Sequence, residues 1–248
     1  MRSVITHRVI AGTLVVVSLV GISTASAQIP DEFTNLQVLP KDTSKRELVS
    51  VMREFAGALG VRCNFCHVGE NPNSLEGYDF ASDEPKPKKT AREMMKMAGQ
   101  INDTVLPAAG VDARVRCVTC HRGLKEPETL DKVLLHSIEE GGTEAAQQKY
   151  RELREEYYGM GAYNFGPRTL NTVAETIAQE KKDVDGAIAL MKLNVEFNPD
   201  AAYSHLMLGQ LYAETGDKDA AIASIERSLE IEPDNNWAKR MLERVKSM

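Results

Sequence analysis

Two stretches of the chain repeat one arrangement of polar and apolar positions. Ser44-Lys45-Arg46-Glu47 has the form of a capping box, in which the serine side chain accepts from the Glu47 amide and the glutamate reaches back. Behind it Leu48, Val51, Met52, Phe55 and Leu59 recur at helical spacing and form one apolar stripe. Gly60 is placed to end that helix. Thr90-Ala91-Arg92-Glu93 then predicts a second capping box. Met94, Met97, Ala98, Ile101 and Val105 form a second stripe, and Pro107 is expected to stop it. The recurrence predicts a duplicated helix-and-turn module in an all-α fold with little sheet.

The second half of the chain has a longer period. Pro199 and Pro233 stand 34 residues apart, the spacing of a tetratricopeptide repeat. Leu208, Gly209, Tyr212, Ala221 and Ile225 fall where that repeat places large and small residues. A weaker unit precedes it, with Ala187 and Met191 in place but Glu175 where glycine is usual and Ala178 for an aromatic. Trp237 through Val245 predicts a capping helix. Before the repeats, Thr143–Tyr158 reads as a helix and Gly159–Pro167 as an aromatic-rich joint. The predicted organisation is residues 28–125, a helical linker at 126–165, and tetratricopeptide-like helical hairpins at 166–248.

The first 27 residues read as a signal peptide. Arg2 and Arg8 make a basic start, an apolar run follows through Val20, and Ala25-Ser26-Ala27 fits a cleavage site. The expected location is therefore periplasmic, with cleavage after Ala27. Cleavage lowers 30 basic residues to 28 against 36 acidic ones, and the net charge from −6 to −8. Most of that excess lies beyond residue 125, where 23 acidic side chains face 14 basic ones. An acidic surface of this kind excludes nucleic acid as a partner.

All four cysteines fall in two motifs, Cys63-Asn64-Phe65-Cys66-His67 and Cys117-Val118-Thr119-Cys120-His121. Two thiols three positions apart reach the two vinyl groups of one haem, and the next histidine meets the iron. A disulfide pair or a four-cysteine zinc site would leave both adjacent histidines unexplained. The motifs therefore predict two covalently bound haem c groups, cofactor-binding Cys63, Cys66, Cys117 and Cys120, and iron ligands His67 and His121. A thioether is the expected sixth ligand of a high-potential electron carrier. Met52 lies mid-stripe in the first helix. Met94 and Met97 share the second stripe, and spacing does not choose between them. Methionine at helical spacing also serves as ordinary core packing.

Asp79-Phe80-Ala81-Ser82, Ala91-Arg92-Glu93-Met94-Met95-Lys96-Met97, Ile101-Asn102 and Cys117-Val118-Thr119-Cys120-His121-Arg122-Gly123 together resemble the cytochrome c subunit of photosynthetic reaction centres. The resemblance covers about residues 35–125. It implies Met52 as sixth ligand of the first haem and selects Met94 for the second. The family's subunit carries four haems, one held by a histidine after the second helix. This sequence has Ala108 near that place and two haem motifs, so it resembles half of that subunit.

The loop Val68–Lys89 is polar, with Tyr78 and Phe80 as its aromatics. It reads equally as a shield over a haem edge or as an insertion. Arg92, Arg114, Arg116 and Arg122 are placed to meet haem propionates. His136 and His205 read as structural. The expected function is electron transfer rather than catalysis. A dihaem peroxidase-like enzyme and a haem-based redox or gas-sensing adaptor are the alternatives, and both need a ligand position that opens. The expected partners are redox proteins, including a membrane electron-transfer complex or reaction centre, with the repeats either docking a protein or spacing the haem domain.

Overall fold

The computed structural model describes residues 29–71 and 73–248, so the predicted signal peptide lies outside the described residues. Among the described residues the regular structure is helical, apart from one isolated bridge between Val68 and Asp79. In the first half, α1 (Lys45–Leu59) leads into a 3-10 turn at Cys63–Phe65. Helix α2 (Lys86–Gln100) follows, then a π turn (Ile101–Val105), the short α3 (Leu106–Ala108) and the single-turn α4 (Cys117–His121). In the second half, α5 (Leu130–Tyr157) precedes α6 (Pro167–Thr176), a π turn (Ile177–Lys181), α7 (Val184–Phe197), α8 (Ala202–Thr215), α9 (Lys218–Ile231) and α10 (Asn236–Ser247).

The first predicted cap forms as expected. Glu47 N donates to Ser44 Oγ while Ser44 N donates to the Glu47 carboxylate at 3.0 Å. The second does not form. Helix α2 starts one turn earlier, at Lys86, and Thr90 lies inside it with its hydroxyl donating to Lys86 O. Pro85 and Pro87 set that start, because a helix's first turn tolerates a missing N–H and a fixed φ. Pro107 does not stop the helix either. The π turn over Ile101–Val105 widens the coil ahead of it, and α3 carries Pro107 in its first turn.

The repeats form as α6–α7 and α8–α9 hairpins with α10 as the cap. Gly209 allows α8 and α9 to approach, since a Cβ there would sit 2.6 Å from Ile225 Cγ1 and 3.0 Å from Ala221 O. Helix α5 is longer than predicted and breaks at Gly142, where φ is 78°. Its Leu134, Ile138, Ala146 and Tyr150 are buried in one cluster with Leu170, Leu190 and Met191. A second cluster joins α8, α9 and α10 through Leu206, Ile225 and Leu242. Buried Asn194 pins three helices by donating to Pro167 O and to Asn171 Oδ1, while Ser204 donates to the same Asn171 oxygen. His205 is structural, with Nε2 2.9 Å from Pro199 O. His136 is not packed; it is exposed on α5, with Nε2 3.2 Å from Glu140.

The first half has a different interior. From residue 29 to 125, the buried apolar side chains are Leu48, Ala58 and Leu124. Met52, Phe55 and Leu59 of the first stripe are half-buried, and the second stripe leaves Met94, Met97 and Val105 exposed.

Candidate functional site

The two C-x-x-C-H segments adopt compact turns. In the first, Cys66 N and His67 N both donate to Cys63 O, at 3.2 and 3.0 Å. In the second, Arg116 is extended and its N–H donates to Thr119 Oγ1 at 3.0 Å, which starts the turn of α4. A three-residue step on a helical turn puts Cys117 and Cys120 on one side. Arg122, with φ 49°, ends that turn. All four cysteines are free thiols. Burial pushes the Cys66 thiol up, reinforced by Cys63. Burial and then Glu54 push Cys117 up. Among the described residues no three His, Cys, Asp or Glu side chains converge on a bare ion, and the two thiol pairs stay with their own turns.

The histidines are held differently. His121 Nδ1 lies 2.9 Å from Leu124 O, which fixes the tautomer with Nδ1 protonated and leaves Nε2 free as a donor atom. The turn after it is clamped to α1. Gly123 N donates to Ala58 O at 2.8 Å, and Gly60 meets Gly123 so closely that a Cβ at Gly60 would lie 2.3 Å from Gly123 O. Arg116 Nε donates to Glu54 Oε1 at 2.9 Å from the same helix. Helix α1 therefore braces the second motif as well as preceding the first.

His67 is covered by the loop. The Phe80 ring meets its edge at 5.1 Å, and Tyr78 packs on Phe80 at 5.5 Å. Burial, then the Lys88 charge, pushes the His67 imidazole below its ordinary pKa. Its Nδ1 is buried and has no hydrogen-bond partner among the described residues. The loop is tied back by α2. Lys88 Nζ donates to the carbonyls of Phe80, Ala81 and Ser82 at 2.9, 3.1 and 2.6 Å. Asp83 bonds Arg92 at 2.8 Å and Lys88 at 3.3 Å, and accepts from Asn35 and Gln37. Burial opposes ionisation of Asp83, yet the hydrogen bonds from Arg92 and Lys88 outweigh it and hold the carboxyl below its usual range.

Of the four arginines expected near propionates, the fold engages three elsewhere. Arg92 is on Asp83, Arg116 on Glu54, and Arg114 lies 3.8 Å from Asp103. Arg122 lines a cleft of about 290 Å³ with Arg168, Thr129 and Tyr163. The methionines sit on the helix faces that the stripes predict. Met52 is half-buried, Met94 is 44% exposed and Met97 47% exposed, while Met95, off the stripe, is half-buried. Near-equal exposure gives the backbone no preference between Met94 and Met97.

A family model described as the photosynthetic reaction centre cytochrome C subunit matches residues 4–164. The chain belongs to that family. A tetratricopeptide-repeat model matches residues 202–235, which span α8 and α9. The photosynthetic reaction center cytochrome c subunit of Rubrivivax gelatinosus (strain NBRC 100245 / IL144) is 32% identical over 119 residues, covering 39% of this chain and 31% of the relative. The chain thus spans about a third of that relative's length. Among solved structures, the first TPR of Spaghetti (RPAP3) bound to HSP90 peptide SRMEEVD is 21% identical, with a TM-score of 0.34 over 48% of this chain and 88% of that one.

Family membership implies haem c, and the residues fit that group. Each turn carries two free thiols beside one histidine. His121 presents an unencumbered Nε2, and His67 is a half-buried imidazole whose pKa is pushed down by burial and whose Nδ1 is without a partner among the described residues. A bound haem would draw a histidine and a methionine thioether from the protein. The stripe of α1 carries Met52 among half-buried apolar side chains, and the stripe of α2 leaves Met94 and Met97 exposed.

Proposed function

We propose that this chain is an exported dihaem c-type cytochrome that passes electrons between protein partners. Cys63 and Cys66 hold one haem by thioether bonds, and Cys117 and Cys120 hold the other. His67 and Met52 ligate the first iron, and His121 and Met94 the second. The signal peptide is removed after Ala27, and the mature protein works in the periplasm. Its partners are redox proteins, among them a membrane electron-transfer complex or a reaction centre, and the repeats dock a protein.

The observation that carries this reading is the matched pair of turns. Each holds two reduced cysteines beside a histidine, and for His121 the Leu124 carbonyl has already chosen the tautomer. Bound haem supplies a one-electron couple, whose potential a methionine ligand raises. The protein's part is to hold each imidazole in place and to cover the first one. Phe80 and Tyr78 do the latter beside His67.

Pyridine haemochrome quantitation with mass spectrometry of the mature chain tests the proposal. Two haems retained through acidified solvent extraction are expected. One haem, or haem lost on extraction, refutes it. The reduced protein should also bind carbon monoxide poorly, and rapid stoichiometric binding at one haem would point instead to an enzyme or gas sensor.

A further inference from the structure

Asn102 sits inside the π turn that follows α2, and both ends of its side-chain amide are engaged. Its Nδ2 donates to Val115 O at 2.8 Å, and its Oδ1 accepts from Val115 N at 2.7 Å. The amide thus pairs with both the N–H and the C=O of one residue, as a residue of a neighbouring strand would, across 13 residues of sequence. Asparagine is a poor residue for a helix interior, since its side chain competes for backbone groups. Here that competition is met by a distant segment, and the wide π turn carries the side chain that reaches it.

The place of the clamp gives it meaning. Val115 is two residues before Cys117. Its neighbour Arg116 caps α4 and reaches Glu54 on α1 at 2.9 Å. Consecutive residues are therefore held from opposite sides, Val115 by α2's continuation and Arg116 by α1. Among the described residues, the other polar link between the 86–108 helical run and the segment carrying Cys117 is the exposed pair Arg114–Asp103 at 3.8 Å. Ions this far apart and this exposed contribute little.

We propose that Asn102 is a positioning residue for the second haem: it fixes the register between the helix that offers the methionine and the segment that offers His121. The inference rests on the reading that both face one iron. A thioether bond to iron is directional and weak beside the imidazole bond. A small slip of α2 against residues 115–121 therefore weakens the sulfur ligand first, while the thioether links and His121 remain.

The test uses the full-length holoprotein with Asn102→Ala and Asn102→Asp. Alanine removes both bonds. Aspartate keeps the acceptor for Val115 N and loses the donor. Both variants are compared with wild type for haem content, the ferric sulfur-to-iron charge-transfer band, carbon monoxide binding and the two reduction potentials. Asn102→Ala should keep two haems, lose the band at one of them, lower that haem's potential, and let the reduced protein bind carbon monoxide there. Asn102→Asp should fall between wild type and alanine. If Asn102→Ala fails to mature, Asn102→Asp alone decides: a selective change in one band and one potential supports the proposal. Variants that melt at lower temperature with unaltered bands and potentials make Asn102 a structural strut only, which overturns the inference and leaves the dihaem reading intact. A wild-type protein without two covalent haems overturns both.

Discussion

Gly60 and Gly57 lie three residues apart in and just after α1, yet alanine should act in opposite directions at the two. At Gly60 the backbone is left-handed, with φ 66°, and an added Cβ would stand 2.3 Å from Gly123 O. That oxygen belongs to the backbone of the turn after His121, and the same residue's N–H donates to Ala58 O at 2.8 Å. Relief by movement therefore breaks a hydrogen bond that holds the second motif to α1. A left-handed alanine costs roughly 1–2 kcal/mol. Overpacking a fixed contact adds about 1–3 kcal/mol. Taken together as about 3 kcal/mol, the change lowers the folded-to-unfolded ratio on the order of a hundredfold. For a domain of this size it lowers the melting temperature by about 12–24 °C. Gly57 is exposed within the helix and has no atom within 4 Å of an added Cβ. Alanine there should stabilise by about 0.5–1 kcal/mol. The assay is thermal unfolding of the holoprotein, followed at the haem absorption band and separately by far-ultraviolet dichroism, to which α5–α10 contribute with their own cores. A Gly60→Ala protein whose haem band melts with wild type, or two variants that shift in the same direction, would show that the α1–α4 contact does not hold the haem segment.

Met52→His should lower one reduction potential and leave the other nearly unchanged, and Met94→Leu should abolish one sulfur-to-iron band that Met97→Leu preserves; the reverse outcome moves the ligand to Met97. The Asp83 carboxyl is held below its usual range. Its contribution to stability is therefore present at neutral pH and is lost as pH falls below about 4, through the depressed value. Heating curves of wild type should show that loss, and Asp83→Asn should be less stable at neutral pH and flatter across the acid range. A chain ending after residue 125 should keep both haem spectra and potentials, because His121, Leu124 and their α1 contacts remain. It should exchange electrons with its native partner more slowly, most clearly at low ionic strength, where the acidic repeats steer a basic partner; equal rates at every salt concentration would remove the docking role.

What was legible in the sequence was what short range decides. Ser44 and Glu47 meet within one turn, so their cap could be read directly. The 34-residue period and Gly209 announced the repeats because each repeat packs mainly on its neighbour. The second cap failed because Thr90 and Glu93 resemble a start while Pro85 and Pro87 impose an earlier one. Pro107 misled in the opposite sense, since a π turn can absorb a proline that an unbroken α-helix cannot. Arg92 and Arg116 were matched to propionates by type, but Asp83 and Glu54 hold them from 9 and 62 residues away. Asn102 carried a signal that went unused: an amide beside Ile101 of the apolar stripe, in the interior of a helical run, asks for a partner. The choice between Met94 and Met97 stays with the family resemblance, because backbone and exposure treat the two alike.

The pattern of two similar modules suggests two haem units joined by a loop, but the contacts describe a different connection. The first turns of α2 hold the first segment: Lys88 gathers the carbonyls of residues 80–82, Arg92 secures Asp83, and Phe80 seats against His67. The far end of the same helical run holds the second segment through Asn102 and Val115. Lys88 and Asn102 are 14 residues apart, or about 21 Å along a helix at 1.5 Å per residue. Helix α1 closes the arrangement, leading into the first motif and clamping the second through Ala58, Gly60 and Glu54. Both C-x-x-C-H segments are thus tied to the same two helices, the first by way of loop residues 80–83, which α2 holds against His67. Electron transfer between two centres falls off steeply with distance. In the proposed dihaem form, helices that hold both segments would keep that distance constant, with Phe80 and Tyr78 of the tied loop packed beside His67.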